Sequence, residues 1–251
     1  NPALTGSIAG LQYGDHITAV YATGANTNSP VGGYPITIGL VDLDGKLVNY
    51  ALTTNNATLT VNPAGLTVTA DPQSKWYRQV DPALTYRLTS GGLVNGDRMS
   101  GALSRVAGEN AGTYAIQQGT LAASTNYALT YVGADLKITP NWLNVTADDQ
   151  SRGYGATNPV LTLFYTGFMG TEGVTNLTEL PQVSTVAQPD SPVGDYAITL
   201  TGGSATNYRL ILNSGTLTVT AASLTVAANS ASRTYGATNP VFSGTVTGIQ
   251  N

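Results

Sequence analysis

The chain has 251 residues, of which 41% are apolar and only 10% charged, with one histidine and no cysteine. Ten cations, a net charge of −4 and an isoelectric point near 4.7 exclude a basic face for nucleic acid. Thiolate metal sites, disulfides and cysteine nucleophiles are excluded outright. The apolar content is too high for a disordered chain, and no run of 18 apolar residues predicts a membrane span.

Period-two alternation of apolar and polar residues dominates, which predicts strands and no long helix. In chain order, Leu66-Thr67-Val68 opens a strand pattern. Asn95-Gly96-Asp97 marks a turn, and Asp97–Ala107 is the one stretch where a helical turn is expected. Leu143-Asn144-Val145 opens the next strand pattern, and Tyr196–Leu200, Tyr208–Leu212 and Leu217–Thr220 alternate clearly. Asn213-Ser214-Gly215 between the last two predicts a hairpin. Leu224-Thr225-Val226 begins the pattern once more.

These elements repeat. Ser151-Arg152-Gly153-Tyr154-Gly155-Ala156-Thr157-Asn158-Pro159 returns as Ser232-Arg233-Thr234-Tyr235-Gly236-Ala237-Thr238-Asn239-Pro240, and more loosely around Lys75, Tyr77 and Asp81-Pro82. Tyr77, Tyr154 and Tyr235 each lie 11 residues after the leucine of a Leu-x-Val pair. A Gly-x-Tyr-x-Ile string carries Tyr34, Tyr114 and Tyr196. An Asn-Tyr-x-Leu string carries Tyr50, Tyr127 and Tyr208. Three motifs in one order, three times, define a tandem array.

The expected frame is residues 1–62 as a first repeat lacking its opening strand, 63–140 and 141–221 as complete repeats, and 222–251 as the opening of a fourth. The frame suggests a window on a longer repetitive chain. Each complete repeat, about 78 residues, is expected to be an all-β antiparallel unit, and an immunoglobulin-like two-layer sandwich fits best. The joints are four residues long (62–65, 139–142 and 220–223), so a semi-rigid, elongated rod is expected, each repeat touching its neighbours.

Few side chains invite chemistry. The recurrent tyrosines are expected to pin loops through their hydroxyls. Trp76 and Trp142 are the better candidates for a sugar-stacking surface, and Trp142 falls in a joint. The cation two before the tyrosine (Lys75, Arg152, Arg233) is expected to be a solvated or salt-bridged loop residue. Arginine at two of these three places excludes a Lys–Asn crosslink there. His16 has no second histidine to work with. Asp42, Asp44 and the Asp148-Asp149 pair match no calcium loop pattern. No catalytic residue, cofactor or metal site is expected.

The Tyr-Gly-x-x-Asn-Pro string, Gly92-Leu93-Val94-Asn95-Gly96-Asp97, Gly-x-Tyr-x-Ile, Asn-Tyr-x-Leu and the closing Leu-Thr-Val-Thr together resemble the MBG domain of YGX type. The resemblance covers essentially the whole chain. It implies tandem repeats of large bacterial surface adhesins of filamentous-haemagglutinin-like, two-partner-secreted type, and it admits a β-grasp-like unit as an alternative fold. The sequence departs from the family pattern at Arg78 and Asp81, and at Gly167–Glu172. These departures are expected to loosen loops and leave the strands intact.

The expected function is structural: extracellular repeats on a bacterial surface that space a distal binding region or build a fibre. The alternative is direct binding of a glycan or matrix polymer through Tyr and Trp. No nucleic acid partner is expected. One further expectation concerns self-association. Ser223, Leu224, Thr225, Val226, Ala227 and Ala228 repeat the strand that the first repeat lacks, so they could complement that repeat in another chain, head to tail.

Overall fold

The computed structural model describes residues 1–250. The chain falls into two compact units: Asn1–Gln73 with Pro82–Gly108 and Thr113–Lys137, and Ser74–Asp81 with Glu109–Gly112 and Ile138–Asn251. Apart from two short 3-10 turns, Leu47–Asn49 and Val174–Asn176, the regular structure is all strand. Neither turn lies in Asp97–Ala107, which is extended or looped and includes the two-residue strand Ser104–Arg105. Gly101, at φ 76, takes a backbone form that does not propagate a helix.

The first repeat contributes β1 (Ile17–Thr23), β2 (Gly32–Asp42) and β3 (Ala57–Val61). They form one antiparallel sheet in that order, with Ile17 opposite Asp42 and Tyr34 opposite Leu59. The second repeat runs β4 (Ala64–Ala70), β5 (Gln73–Trp76), β6 (Tyr86–Ser90), β7 (Ser104–Arg105), β8 (Gly112–Gln117), β9 (Tyr127–Val132) and β10 (Ala134–Thr139). In the first compact unit β4 lies between β6 and β9. The Leu-x-Val-x-Ala string of β4 points Leu66, Val68 and Ala70 inward, and all three are fully buried.

The third repeat repeats the plan with β11 (Asn141–Ala147), β12 (Gln150–Gly153), β13 (Leu163–Thr166), β14 (Gln182–Thr185), β15 (Gly194–Thr201), β16 (Tyr208–Asn213) and β17 (Gly215–Thr220). Its strands form two sheets, ordered β13-β11-β16 and β12-β17-β15-β14. Ala147 from the first sheet packs with Ile198 and Leu217 from the second, with Leu163, Val183 and Leu200 around them. β12 is polar and short, so periodicity does not mark it.

Two sequence expectations change. The sheets are mixed: β11 runs parallel to β16, β12 parallel to β17, and β4 parallel to β9, while the hairpin-linked and long neighbours are antiparallel. And Asn213-Ser214-Gly215 is no hairpin, because β16 and β17 belong to different sheets. The chain steps from one sheet to the other at Gly215, where a Cβ would sit 2.4 Å from the Ala147 carbonyl oxygen. Glycine is there for close approach to β11.

Two of the three joints are shorter than four residues. Only Asn62-Pro63 separates β3 from β4, and only Pro140 separates β10 from β11. Beyond β17, β18 (Thr225–Ala228) pairs with β19 (Gly244–Thr247) in the register that β11 makes with β13.

Candidate functional site

The most regular feature is a tyrosine latch that recurs three times. Tyr127 opens β9, Tyr208 opens β16 and Tyr50 follows the first 3-10 turn, and each hydroxyl reaches the Gly-x-x-x-x-acid turn of its own repeat. Tyr50 donates to Asp15 at 2.7 Å and accepts from the Gln12 amide at 3.0 Å. Tyr127 donates to Asp97 at 2.9 Å and accepts from the Val94 amide at 2.9 Å. Tyr208 donates to Glu172 and accepts from the Met169 amide at 3.0 Å. Each turn closes on itself, from the amide of the acid to the carbonyl three residues earlier. The residue three positions after its glycine is left-handed in all three copies: Tyr13 at φ 54, Asn95 at φ 56 and Gly170 at φ 61. The phenol satisfies a backbone donor and is satisfied by a carboxylate, so both ends of its hydrogen-bonding capacity are used.

The replacement of Asp by Glu in the third turn therefore loosens nothing. Glu172 reaches further than Asp15 or Asp97 and gathers more donors. Its Oε1 accepts from the Tyr77 hydroxyl at 2.5 Å and from Arg78 Nη2 at 2.6 Å, while its Oε2 accepts from Tyr208. Tyr77 packs edge-on against Tyr208 at 5.8 Å, and Phe168 does the same from another side at 5.4 Å. Burial opposes the charge on Glu172, but hydrogen bonds from Tyr208, Tyr77 and Arg78 outweigh it and hold the carboxyl below its usual value. Burial first, and then Glu172, push the Tyr208 phenol up to about 12.

Tyr77 belongs to the second repeat, so this cluster is a joint between repeats, assembled inside the second compact unit. Its backbone is tied there as well. The Tyr77 amide donates to the Thr139 carbonyl at 2.8 Å, and Asn141 Nδ2 donates to the Tyr77 carbonyl at 2.9 Å. Arg78 stands where Gly155 and Gly236 stand, and it keeps their left-handed backbone, at φ 67 against 84 and 81. A side chain in that region is strained; here the side chain delivers a guanidinium to Glu172. Tyr154 makes the same amide bond, to the Thr220 carbonyl at 2.8 Å, but its ring is only partly covered and Tyr235 is fully exposed.

The asparagine of Asn-Tyr-x-Leu makes a second joint. Asn126 Oδ1 accepts from the Val31 amide at 2.9 Å, and Asn207 Oδ1 accepts from the Ala111 amide at 2.8 Å. Val31 and Ala111 occupy equivalent places, directly before the glycine of Gly-x-Tyr-x-Ile in the preceding repeat. One dipeptide thus serves two purposes: Asn joins to the repeat before, and Tyr latches the turn of its own. The third tyrosine set is local. Tyr34 and Tyr196 donate to the carbonyls of Pro30 and Pro192, four residues back, at 2.7 and 2.8 Å. Tyr114 lies under the Arg105 guanidinium at 5.5 Å.

The cations before the tyrosine are not solvated in the complete repeats. Lys75 and Arg152 are both buried. Lys75 Nζ lies 2.6 Å from Asp81 and 2.6 Å from Glu109. Arg152 donates to Asn158 at 2.7 Å and to the carbonyls of Gln188 and Pro189. Asp81 for Asn158 is a paired change: the carboxylate accompanies lysine and the amide accompanies arginine. Arg233, in the fourth copy, is exposed and bonds to local carbonyls.

The remaining candidates are occupied by turns. Asp42 accepts from the Leu47 and Lys46 amides, which lower its pKa. Asp148 accepts from Thr162 and Asp149 from the Thr216 amide. His16 is exposed and lies 3.1 Å from Asp44. Trp76 and Trp142 both line one cavity of about 230 Å³, with Tyr77, Gln79, Asn141 and Met169. Trp142 lies on β11 and carries the Arg209 guanidinium 5.7 Å from its ring centre. The sequence reading expected the tyrosines to pin loops but did not identify their partners. The signal was the recurrent acid five residues after the turn glycine, at Asp15, Asp97 and Glu172.

The MBG domain (YGX type) family matches the chain three times, over residues 1–60, 66–137 and 143–218. No curated protein matches it. The three matches span the three tyrosine latches, and the chain belongs to the MBG domain (YGX type) family as a tandem array of its repeats.

Proposed function

We propose that the chain is a non-enzymatic stalk or fibre segment of a bacterial extracellular surface protein, whose repeats hold a distal binding region away from the cell or assemble into a filament. One observation carries this reading. The recurring polar side chains are spent on latching turns and joining neighbours, as in Asn126–Val31 and Asn207–Ala111. Short, proline-bearing links with side chains reaching across them favour a stiff array. Small-angle scattering tests it. Three repeats of about 30 Å predict a length of roughly 90 Å and a radius of gyration well above the ~18 Å of one compact body of this size. A radius near the compact value would overturn it.

A second reading has its own support. Trp76 and Trp142 share one cavity, and both are partly exposed. Paired aromatic faces beside an amide side chain suit a carbohydrate ring. Glycan-array binding that disappears in the Trp76→Ala, Trp142→Ala double variant would favour direct recognition. Binding that survives it would remove this reading.

A further inference from the structure

We infer that Asn95 is a self-modification site: the Gly96 backbone nitrogen closes on the Asn95 side chain, and the isoaspartate that results releases the tyrosine latch of the second repeat. Asn95-Gly96 is the one Asn-Gly pair in the chain. Glycine has no Cβ to shield its nitrogen, so attack from that position is less hindered than from any other residue. Asn95 and Gly96 are both exposed. Among the described residues, neither the Gly96 amide nor the Asn95 side chain has a hydrogen-bond partner to give up.

The reaction needs only water. The Gly96 nitrogen loses its proton to solvent hydroxide and bonds to Asn95 Cγ. The Cγ–Nδ2 bond breaks, and ammonia leaves with a proton from solvent. Water then opens the five-membered succinimide. Opening at Cγ leaves aspartate. Opening at the main-chain carbonyl leaves isoaspartate, with the backbone routed through the former side chain.

The latch sets how often the ring can close. Asn95 and Gly96 are both left-handed, at φ 56 and 79, and the Asp97 amide donates to the Val94 carbonyl at 2.9 Å. That is the closed turn which Asn-Gly favours. Ring closure requires rotation about the Asn95 Cα–C bond, and the closed turn resists it. Tyr127 holds the turn by accepting from the Val94 amide at 2.9 Å and donating to Asp97 at 2.9 Å. Attack therefore waits for the latch to open, and the product keeps it open. Isoaspartate adds a carbon to the main chain, so the Cα atoms of residues 95 and 96 no longer sit ~3.8 Å apart. It also places a new negative charge two residues from Asp97. A turn of altered length cannot present the Val94 amide and the Asp97 carboxylate to one phenol. Tyr13 and Gly170 hold the equivalent positions in the other latches. Neither has an amide to lose, so the second latch alone ages by this route.

Ageing the 251-residue chain in mildly alkaline buffer tests this, with peptide masses and isoaspartyl methyltransferase labelling to locate the product. Asn95 should lose its amide before Asn28 and Asn229, which are exposed and precede serine. Tyr127→Phe should speed the loss at Asn95 about fivefold, as expected for removing one hydrogen bond's restraint, and leave Asn28 and Asn229 unchanged. In the aged parent chain, hydrogen exchange at Val94 and Asp97 should quicken at least about fivefold, while Met169, held by Tyr208, keeps its rate. Asn95→Gly, which copies the third turn, should show neither labelling at this turn nor faster exchange. Three results overturn the inference: Asn95 keeping its amide while Asn28 or Asn229 loses its own, a rate at Asn95 that Tyr127→Phe raises no more than at Asn28 and Asn229, or isoaspartate at 95 with exchange at Val94 and Asp97 unchanged.

Discussion

Lys75 and Asp81 meet at 2.6 Å in the second repeat where Arg152 and Asn158 meet at 2.7 Å in the third. The two pairs solve one problem, a buried cation beside the YGX tyrosine, with different charge arithmetic. Lysine has three donors and a compact charge, and it takes two carboxylates. Arginine spreads its donors over an amide and backbone carbonyls. Burial opposes the lysine charge, yet Asp81 and Glu109 outweigh it and raise its pKa.

Exchanging the pair as a unit should therefore be tolerated better than breaking it. Asp81→Ala is expected to cost about 1–3 kcal/mol, because it strips a partner from a buried ammonium. Lys75→Arg with Asp81→Asn together should cost less than the sum of the single changes. Denaturant unfolding in a double-mutant cycle measures the coupling.

Glu172 should be the most sensitive side chain of the joint. Glu172→Ala leaves the Tyr77 and Tyr208 hydroxyls and Arg78 without their acceptor and is expected to cost about 3 kcal/mol. Glu172→Gln retains an acceptor oxygen and should cost less. A Glu172→Gln variant as stable as the parent chain would contradict the charge-assisted account.

The same residues set pH limits. The Glu172 carboxyl is held below its usual 4.5 in the folded chain, so its contribution is present above that value and declines as pH falls through the lower, folded one. The Tyr208 phenol is raised to about 12 from 10.0. Its contribution is whole below pH 10 and is lost as pH rises towards 12, because the unfolded chain ionises first. Unfolding midpoints against pH should fall on both sides, with Glu172→Gln flattening the acid limb and Tyr208→Phe the alkaline limb.

Arg78 combines strain with an ion pair, and two substitutions separate them. Arg78→Gly removes both, whereas Arg78→Ala removes the pair and keeps a side chain at φ 67. The alanine variant should be the less stable of the two, read as the lower melting temperature. The reverse order would show that the left-handed backbone relaxes at no cost.

The asparagine joints should open locally. Asn207→Ala removes the acceptor of the Ala111 amide, so hydrogen exchange at Ala111 should speed up by about fivefold, as expected for the loss of roughly 1 kcal/mol. Exchange at Val31, which Asn126 holds, should stay unchanged.

The sequence by itself determined the repeat, its family, the strand character and which residues face the core. Leu66, Val68, Leu143 and Val145 were legible because alternation in a strand reports a buried face directly. It also marked the tyrosines, since a phenol recurring at a fixed spacing is visible without knowing what it touches. Tertiary structure decided which strands pair and what each tyrosine holds. β16 and β17 abut in sequence but belong to different sheets, and β11 pairs with β16 across 60 intervening residues, a choice made by packing of faces. The bond from Tyr77 to Glu172 spans 95 positions. Such a contact depends on where two repeats come to rest, and local propensity and periodicity describe only neighbours a few residues apart.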